Sequence, residues 1–369
     1  MHDVRPNQKT QSPSARHERG RRSRFLGRAA GGCAMAALLV AALTAPQAAA
    51  ADLGGGCGCG DGDGGGHGGY AYVANSDART VSVVDTAKNA VVGTVSVPAG
   101  VENIAVGSHN ERAYVTGGAG SDAVSVIDTT RRSTIRTIRA GQRPEGVAVT
   151  PNDKRVYVTN ARSNTVSVID TATNRVTKTL RVGRQPQNIA ISPDGSRAFV
   201  TNLLSGTVSV ISTSREKVID TIRFTTPAAP FDVVIAPDGR RAYVSLGLGT
   251  DAVAVIDTRE AEVEDTVMLP EGAEHLAVTP DSRRVYVTTG FGSDGVSVID
   301  ARTNAVSGYL EVGAGTEGIA LGDGGRRAYV TAGDSAPATN VVDTGTGEVV
   351  ATVDVGAGPN RVAVAGGGS

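Results

Sequence analysis

Seven short aromatic segments punctuate the chain at near-constant spacing. Tyr72, Tyr114, Tyr157, Phe199, Tyr243, Tyr286 and Tyr329 each sit between Ala or Val on one side and Val on the other, and successive rings are 42 to 44 residues apart. A period of that length restricts the fold to propeller blades or helical arrays. The residues between the rings decide which.

One unit is enough to read. Arg155 to Asn160 (RVYVTN) is a strand, followed by a loop over 161–164. Thr165 to Asp170 (TVSVID) alternates with period two and predicts a second strand. After a turn, Arg175 to Val182 makes a third, and Asn188 to Ile191 a fourth, wholly apolar beyond its first residue. Ser192-Pro193-Asp194-Gly195 then reverses the chain, with Pro presetting one turn dihedral and Gly accepting a positive φ. Apolar residues at three-and-four spacing are missing, and 48 Gly with 15 Pro leave little room for long helices. Four antiparallel strands repeated seven times predict an all-β chain, a seven-bladed β-propeller. The motif Tyr157-Val158-Thr159-Asn160, with Val166 to Thr171 and Ser192-Pro193-Asp194-Gly195, resembles the bacterial YVTN-repeat propellers, of surface-layer-like and YncE-like kind. The resemblance covers residues 70–367. It implies the fold and names no activity, because these motifs build blades.

The order of strands within a blade also follows. The apolar segments Asn103 to Val106, Gly146 to Val149 and Asn188 to Ile191 suit the innermost position. Strands bearing Lys and Arg, such as Ile135 to Arg139, suit the outer edge, where charge blocks edge-to-edge pairing. The repeats then begin on a second strand at Tyr72 and end on an innermost strand at Arg361 to Ala365. Those two are expected to pair and close the ring.

Loops entering the innermost strand share a face with the loops between the second and third strands, and these are the variable ones, where binding usually sits. Aligning the residues just before each innermost strand gives Glu102-Asn103, Glu145-Gly146, Gln187-Asn188, Phe231-Asp232, Glu274-His275, Glu317-Gly318 and Asn360-Arg361. A carboxylate-rich rim at one mouth of the tunnel would attract cations or a basic ligand. The bland alternative is that these side chains are solvated or cap loop amides. The rim candidates are Glu102, Glu145, Phe231, Asp232, Glu274, His275, Glu317 and Arg361. Lactonase-type hydrolases share the architecture. In that reading Glu274 and Glu317 are metal ligands or acids, His275 a base and Arg361 an anion stabiliser. No cofactor is expected beyond a divalent cation.

Other residues read as structural. Asp85, Asp128, Asp170, Asp257, Asp300 and Asp343 hold one turn position, with Ser212 in the remaining blade, as turn caps do. Asp122, Asp251 and Asp294 recur on the variable face without calcium-loop spacing. His109, in a turn on the opposite face, is expected to be solvated. Gly-x-Ser-x-Gly, His-Glu-x-x-His and Cys-x-x-Cys-His are absent.

The formal net charge is -1, which points to neither nucleic acid nor membrane, but charge is segregated along the chain. Residues 131–197 hold 13 Lys or Arg against four acids, while Phe231 onward holds 20 acids against nine bases. A basic arc including Arg136, Arg139, Lys178 and Arg181 either protects outer edges or docks an anionic polymer, cell-wall material or nucleic acid. Aromatic stacking residues are scarce there.

Residues 1–50 read as a signal peptide. Arg16 to Arg28 form a basic region, Ala34 to Thr44 a short apolar run, and Ala48 to Ala51 offer cleavage sites. Arg21-Arg22-Ser23-Arg24-Phe25-Leu26 resembles a twin-arginine signal. Residues 51–69 form a Gly-rich linker, in which Cys57 and Cys59 read as two linker thiols, open to intermolecular disulfides after export, rather than as a zinc site. The function expected is binding or scaffolding outside the cytoplasm, by a secreted or surface-associated monomer without a membrane span, through recognition of a protein, peptide or surface polymer.

Overall fold

A computed structural model of the chain describes residues 69–224, 228–247, 250–290, 294–313 and 315–365. The segments read as signal peptide and linker, with their cysteines and His67, lie outside them.

The strands form seven four-stranded antiparallel sheets, each ordered from the innermost strand outward. One blade runs Pro144–Val149, Arg155–Asn160, Thr165–Asp170 and Arg175–Arg181. The closing blade takes its inner strand Pro359–Ala365 from the end of the repeat array and pairs it with Tyr70–Asn75 from its beginning, as the strand order required. Outer strands expose most of their residues. In Arg175–Arg181 only Leu180 is buried, so the charged residues sit on the one edge that water reaches.

The aromatic repeat forms the contacts between blades. Tyr114 packs with Val147, Val158 and Ile169 of the following blade, and Tyr157 with Ile189, Val200 and Ile211 of the one after. Tyr329 completes the circle against Val73, Val84 and Val362. Each ring is almost wholly removed from water, a gain of about 1.5–3 kcal/mol per side chain.

The Thr and Asn of the motif explain how the inner strand is held. The inner strands shift register near their start, between Pro144 and Val147, Pro186 and Ile189, and Pro230 and Val233. Such a bulge orphans a backbone N–H. The Thr159 hydroxyl accepts the Gly146 N–H at 2.7 Å and donates to the Gln187 carbonyl of the next blade at 2.7 Å. Thr116, Thr201, Ser245, Thr288 and Thr331 accept the equivalent N–H in their own blades. Asn75, Asn160 and Asn202 each donate to a Thr and a Ser hydroxyl on the adjacent strand. The Asn160 amide lies where a Cβ on Gly141 would come within 2.5 Å of its Cγ, so the entry loop needs glycine there.

Candidate binding site at the tunnel mouth

The aligned residues sit at the entries to the inner strands, and the side chains of Asn188, Asp232, His275 and Arg361 join into one largely buried network. Asp232 is its hub. One carboxylate oxygen accepts from Asn188 Nδ2 and from the Val233 N–H at 2.8 Å. The other accepts from the Leu276 N–H at 3.1 Å and lies 3.6 Å from Arg361 Nη1 and 3.2 Å from His275 Nδ1. Arg361 Nη1 is 2.5 Å from His275 Nδ1. Nδ1 thus faces a donor, the Arg361 guanidinium, and an acceptor, the Asp232 carboxylate, and the ring tautomer decides which of the two it bonds. Burial, then the Arg361 charge, lower the His275 pKa to about 4. Burial opposes ionisation of Asp232, yet its donors and Arg361 outweigh it and hold the carboxyl below its ordinary range. Phe231 stacks obliquely on His275, with ring centroids 5.2 Å apart. Below this collar a cavity of about 360 Å³ is lined by Asn103, Asn188, Asp232 and Arg361 at its polar end and by residues such as Val234 and Ile319 beyond.

The glutamates form an outer layer. Glu145 is buried and accepts from Arg143 Nε. Glu102 hydrogen-bonds Glu145, and its pKa is raised to about 7, first by burial and then by the Glu145 charge, with Arg361 and Arg143 partly offsetting both. Burial also raises the Glu274 carboxyl, with Arg361 opposing. Glu102, Glu274 and Glu317 each pack against a glycine of positive φ on their own blade's loop: Gly118, Gly290 and Gly333. A Cβ on Gly333 would come within 2.9 Å of the Glu317 side chain, so these glycines make room for the carboxylates.

The expected rim residues thus fall into two groups. Phe231, Asp232, His275 and Arg361 come together, as do Glu102 and Glu145, while Glu274 and Glu317 lie on separate blades. Of the bland alternative, solvation does not describe Asp232 and His275, which are 3% and 6% exposed, whereas capping of backbone amides does describe Asp232, which accepts the Val233 and Leu276 N–H groups. Among the described residues no three His, Cys, Asp or Glu side chains gather to hold a metal ion, at Glu274 and Glu317 or at Asp122, Asp251 and Asp294. Asn188 and Arg143 belong to the site and were missed in the sequence. Asn188 stood in the aligned column, but an amide carries no charge to draw notice. Arg143 lies outside that column.

Away from the tunnel, Arg136, Arg139, Lys178 and Arg181 are exposed on outer strands, and Arg139 lies 3.8 Å from Asp122. The turn aspartates accept backbone N–H bonds: Asp85 from Ala87 and Lys88, Asp300 from Arg302 and Thr303. His109 is exposed, as expected of a solvated side chain, and also makes a contact to the next blade. Its Nδ1 lies 2.6 Å from Asp153 of the next blade, whose carboxylate also accepts the Ser108 and His109 N–H groups.

Comparison with known proteins agrees with this architecture. A family model described as YNCE-like beta-propeller matches residues 115–203 and 148–245. No curated protein matches the chain. Among solved structures, a functionally unknown protein from Desulfotomaculum acetoxidans superposes with a TM-score of 0.71 at 17% identity, covering 80% of this chain and 98% of that one. Kuenenia stuttgartiensis hydrazine synthase superposes with a TM-score of 0.65 at 22% identity, covering 71% of this chain and 89% of that one. At those identities the likeness is one of fold. Matched repeats and closed ring together make this chain a seven-bladed β-propeller, of which residues 115–245 resemble the YNCE-like model.

Proposed function

We propose that the chain is an exported binding propeller that holds a basic segment of a protein or peptide over its tunnel mouth. The supporting observation is the Glu102–Glu145 pair, two neighbouring carboxyls drawn partly out of water, with Glu274 and Glu317 further round the same rim. Arg361, the cation of the inner network, is engaged by His275 and Asp232 and leaves the outer layer acidic. A Lys or Arg side chain brought to the pair would replace the proton that Glu102 carries near neutrality. The rigid blades position the site, and the variable loops around it supply selectivity.

The test is calorimetric titration with Lys/Arg-rich peptides and acidic counterparts at pH 6 and pH 8. Basic peptides should bind, more tightly at pH 8 because the pair has lost its proton. Glu102→Gln with Glu145→Gln should weaken binding at least tenfold and remove the pH dependence. Equal binding of acidic peptides, or an unchanged affinity in the double variant, would defeat the reading.

A further inference from the structure

We propose that the variable face carries a second site, for an acidic saccharide, in a cavity of about 950 Å³ among the loops of three consecutive blades. It does not rest on the tunnel-mouth reading. The cavity is bounded by residues 119–122, Gln142, Arg143, Ala161, Arg162 and Gln185. Its size suits a small-molecule ligand.

Two independent features single it out. The first is polar capacity without partners. Among the described residues, the side chains of Arg162, Gln142 and Gln185 make no hydrogen bond within the protein, although the backbone of each does. Arg143 uses Nε for Glu145, which leaves both terminal nitrogens of its guanidinium available. The second is backbone strain. Arg143 and Gln185 adopt φ of 56° and 51°, and each directly precedes a proline, Pro144 or Pro186. A side chain disfavours that region, and so does a following proline. The equivalent residue before Pro359 is Gly358, with φ of 65°. Glycine would relieve the strain at Arg143 and Gln185 as well, yet both positions keep long polar side chains, and both line the cavity. Strain retained where a residue of lower cost exists points to a use for the side chain.

The lining chemistry narrows the ligand. Arg143 and Arg162 offer planar forks that pair with a carboxylate. The amides of Gln142 and Gln185, the Ser121 hydroxyl and the Asp122 carboxylate suit a ring rich in hydroxyl groups, which both donates and accepts. No aromatic or large aliphatic side chain lines the cavity, so a nucleobase finds no stacking platform and a lipid no apolar wall. A uronic acid unit combines the carboxylate with the hydroxyls. This shifts the anion-binding part of the basic segment from the outer-strand Arg136, Arg139, Lys178 and Arg181 to the loops between blades.

The test uses the full chain with three probes: uronate oligomers, their neutral methyl esters and oligothymidylate. Uronate oligomers should bind and the esters should not. Arg162→Gln should weaken uronate binding at least tenfold. Gln185→Gly should weaken it while raising the Tm, since it removes a contact and relieves strain together. Glu274→Gln, at a tunnel-mouth residue outside this cavity's lining, should leave it within twofold, which separates this site from the tunnel mouth. No uronate binding, equal binding of the esters, tighter binding of oligothymidylate, or unchanged affinity in both Arg162→Gln and Gln185→Gly would overturn the proposal.

Discussion

Two residues at the tunnel mouth link its geometry to pH, with opposite signs. His275 has a folded pKa of about 4 against an ordinary 6.5, so between those values the unfolded chain binds more protons. Its contribution to stability therefore falls as pH drops from 6.5 to 4, by roughly 3 kcal/mol in all. Glu102 has a folded pKa of about 7 against 4.5, so the folded chain binds more protons in that interval. Its contribution is full below 4.5 and is lost as pH rises through 7, by roughly 3 kcal/mol. Urea denaturation across pH separates them. His275→Asn should lose less stability than the parent between pH 6.5 and 4. Glu102→Gln should gain on the parent between pH 5 and 8. A variant-to-parent difference that does not change with pH in either series would contradict the assignment. The sequence alignment located both residues, but the direction of each shift came from burial, reinforced by Arg361 at His275 and by Glu145 at Glu102, and sequence spacing contains none of these.

At the scale of the strand, a hydroxyl accepts the inner-strand N–H in six blades, from Thr116, Thr159, Thr201, Ser245, Thr288 and Thr331, and in the first four it also donates to a carbonyl of the neighbouring blade. The seventh has Ala74, which pairs with Arg361 at the bulge of the closing strand. No hydroxyl can serve the Arg361 N–H there. Ala74→Thr restores the bridge at the seam and should raise stability by about 1 kcal/mol. Thr159→Ala should cost about 1–3 kcal/mol, because it strands a buried N–H and frees a carbonyl. Thermal melts of the two variants check the pair, and a lower Tm in Ala74→Thr would mean that the site cannot take the added atoms. The strands themselves were legible from alternation and turn residues. The bulges were not, because a register shift depends on the facing strand.

At the scale of the whole molecule, the ring has one non-covalent seam. Inner strand Pro359–Ala365 belongs to the closing blade only by pairing with Tyr70–Asn75, and Tyr329 packs across that seam on Val73, Val84 and Val362. Removing residues 359–369 should expose the Tyr70–Asn75 edge and that aromatic interface together. The truncated chain should unfold at lower urea and more broadly than the parent, measured by circular dichroism. Coincident transitions would show that the seam contributes nothing to closure. The same deletion removes Arg361, so acid sensitivity at His275 should change with it, as ring closure and the site share a strand.

The sequence alone determined the blade count, the strand order and the place of closure, because a period of 42 to 44 residues and strict alternation leave one way to bury seven aromatic rings. It also located the column from which the tunnel mouth is built. The tertiary structure decided what that column does. Asn188, Asp232, His275 and Arg361 are far apart in the chain and carry no motif; only ring closure brings them within hydrogen-bonding distance and out of water, and it is desolvation that sets their charge states.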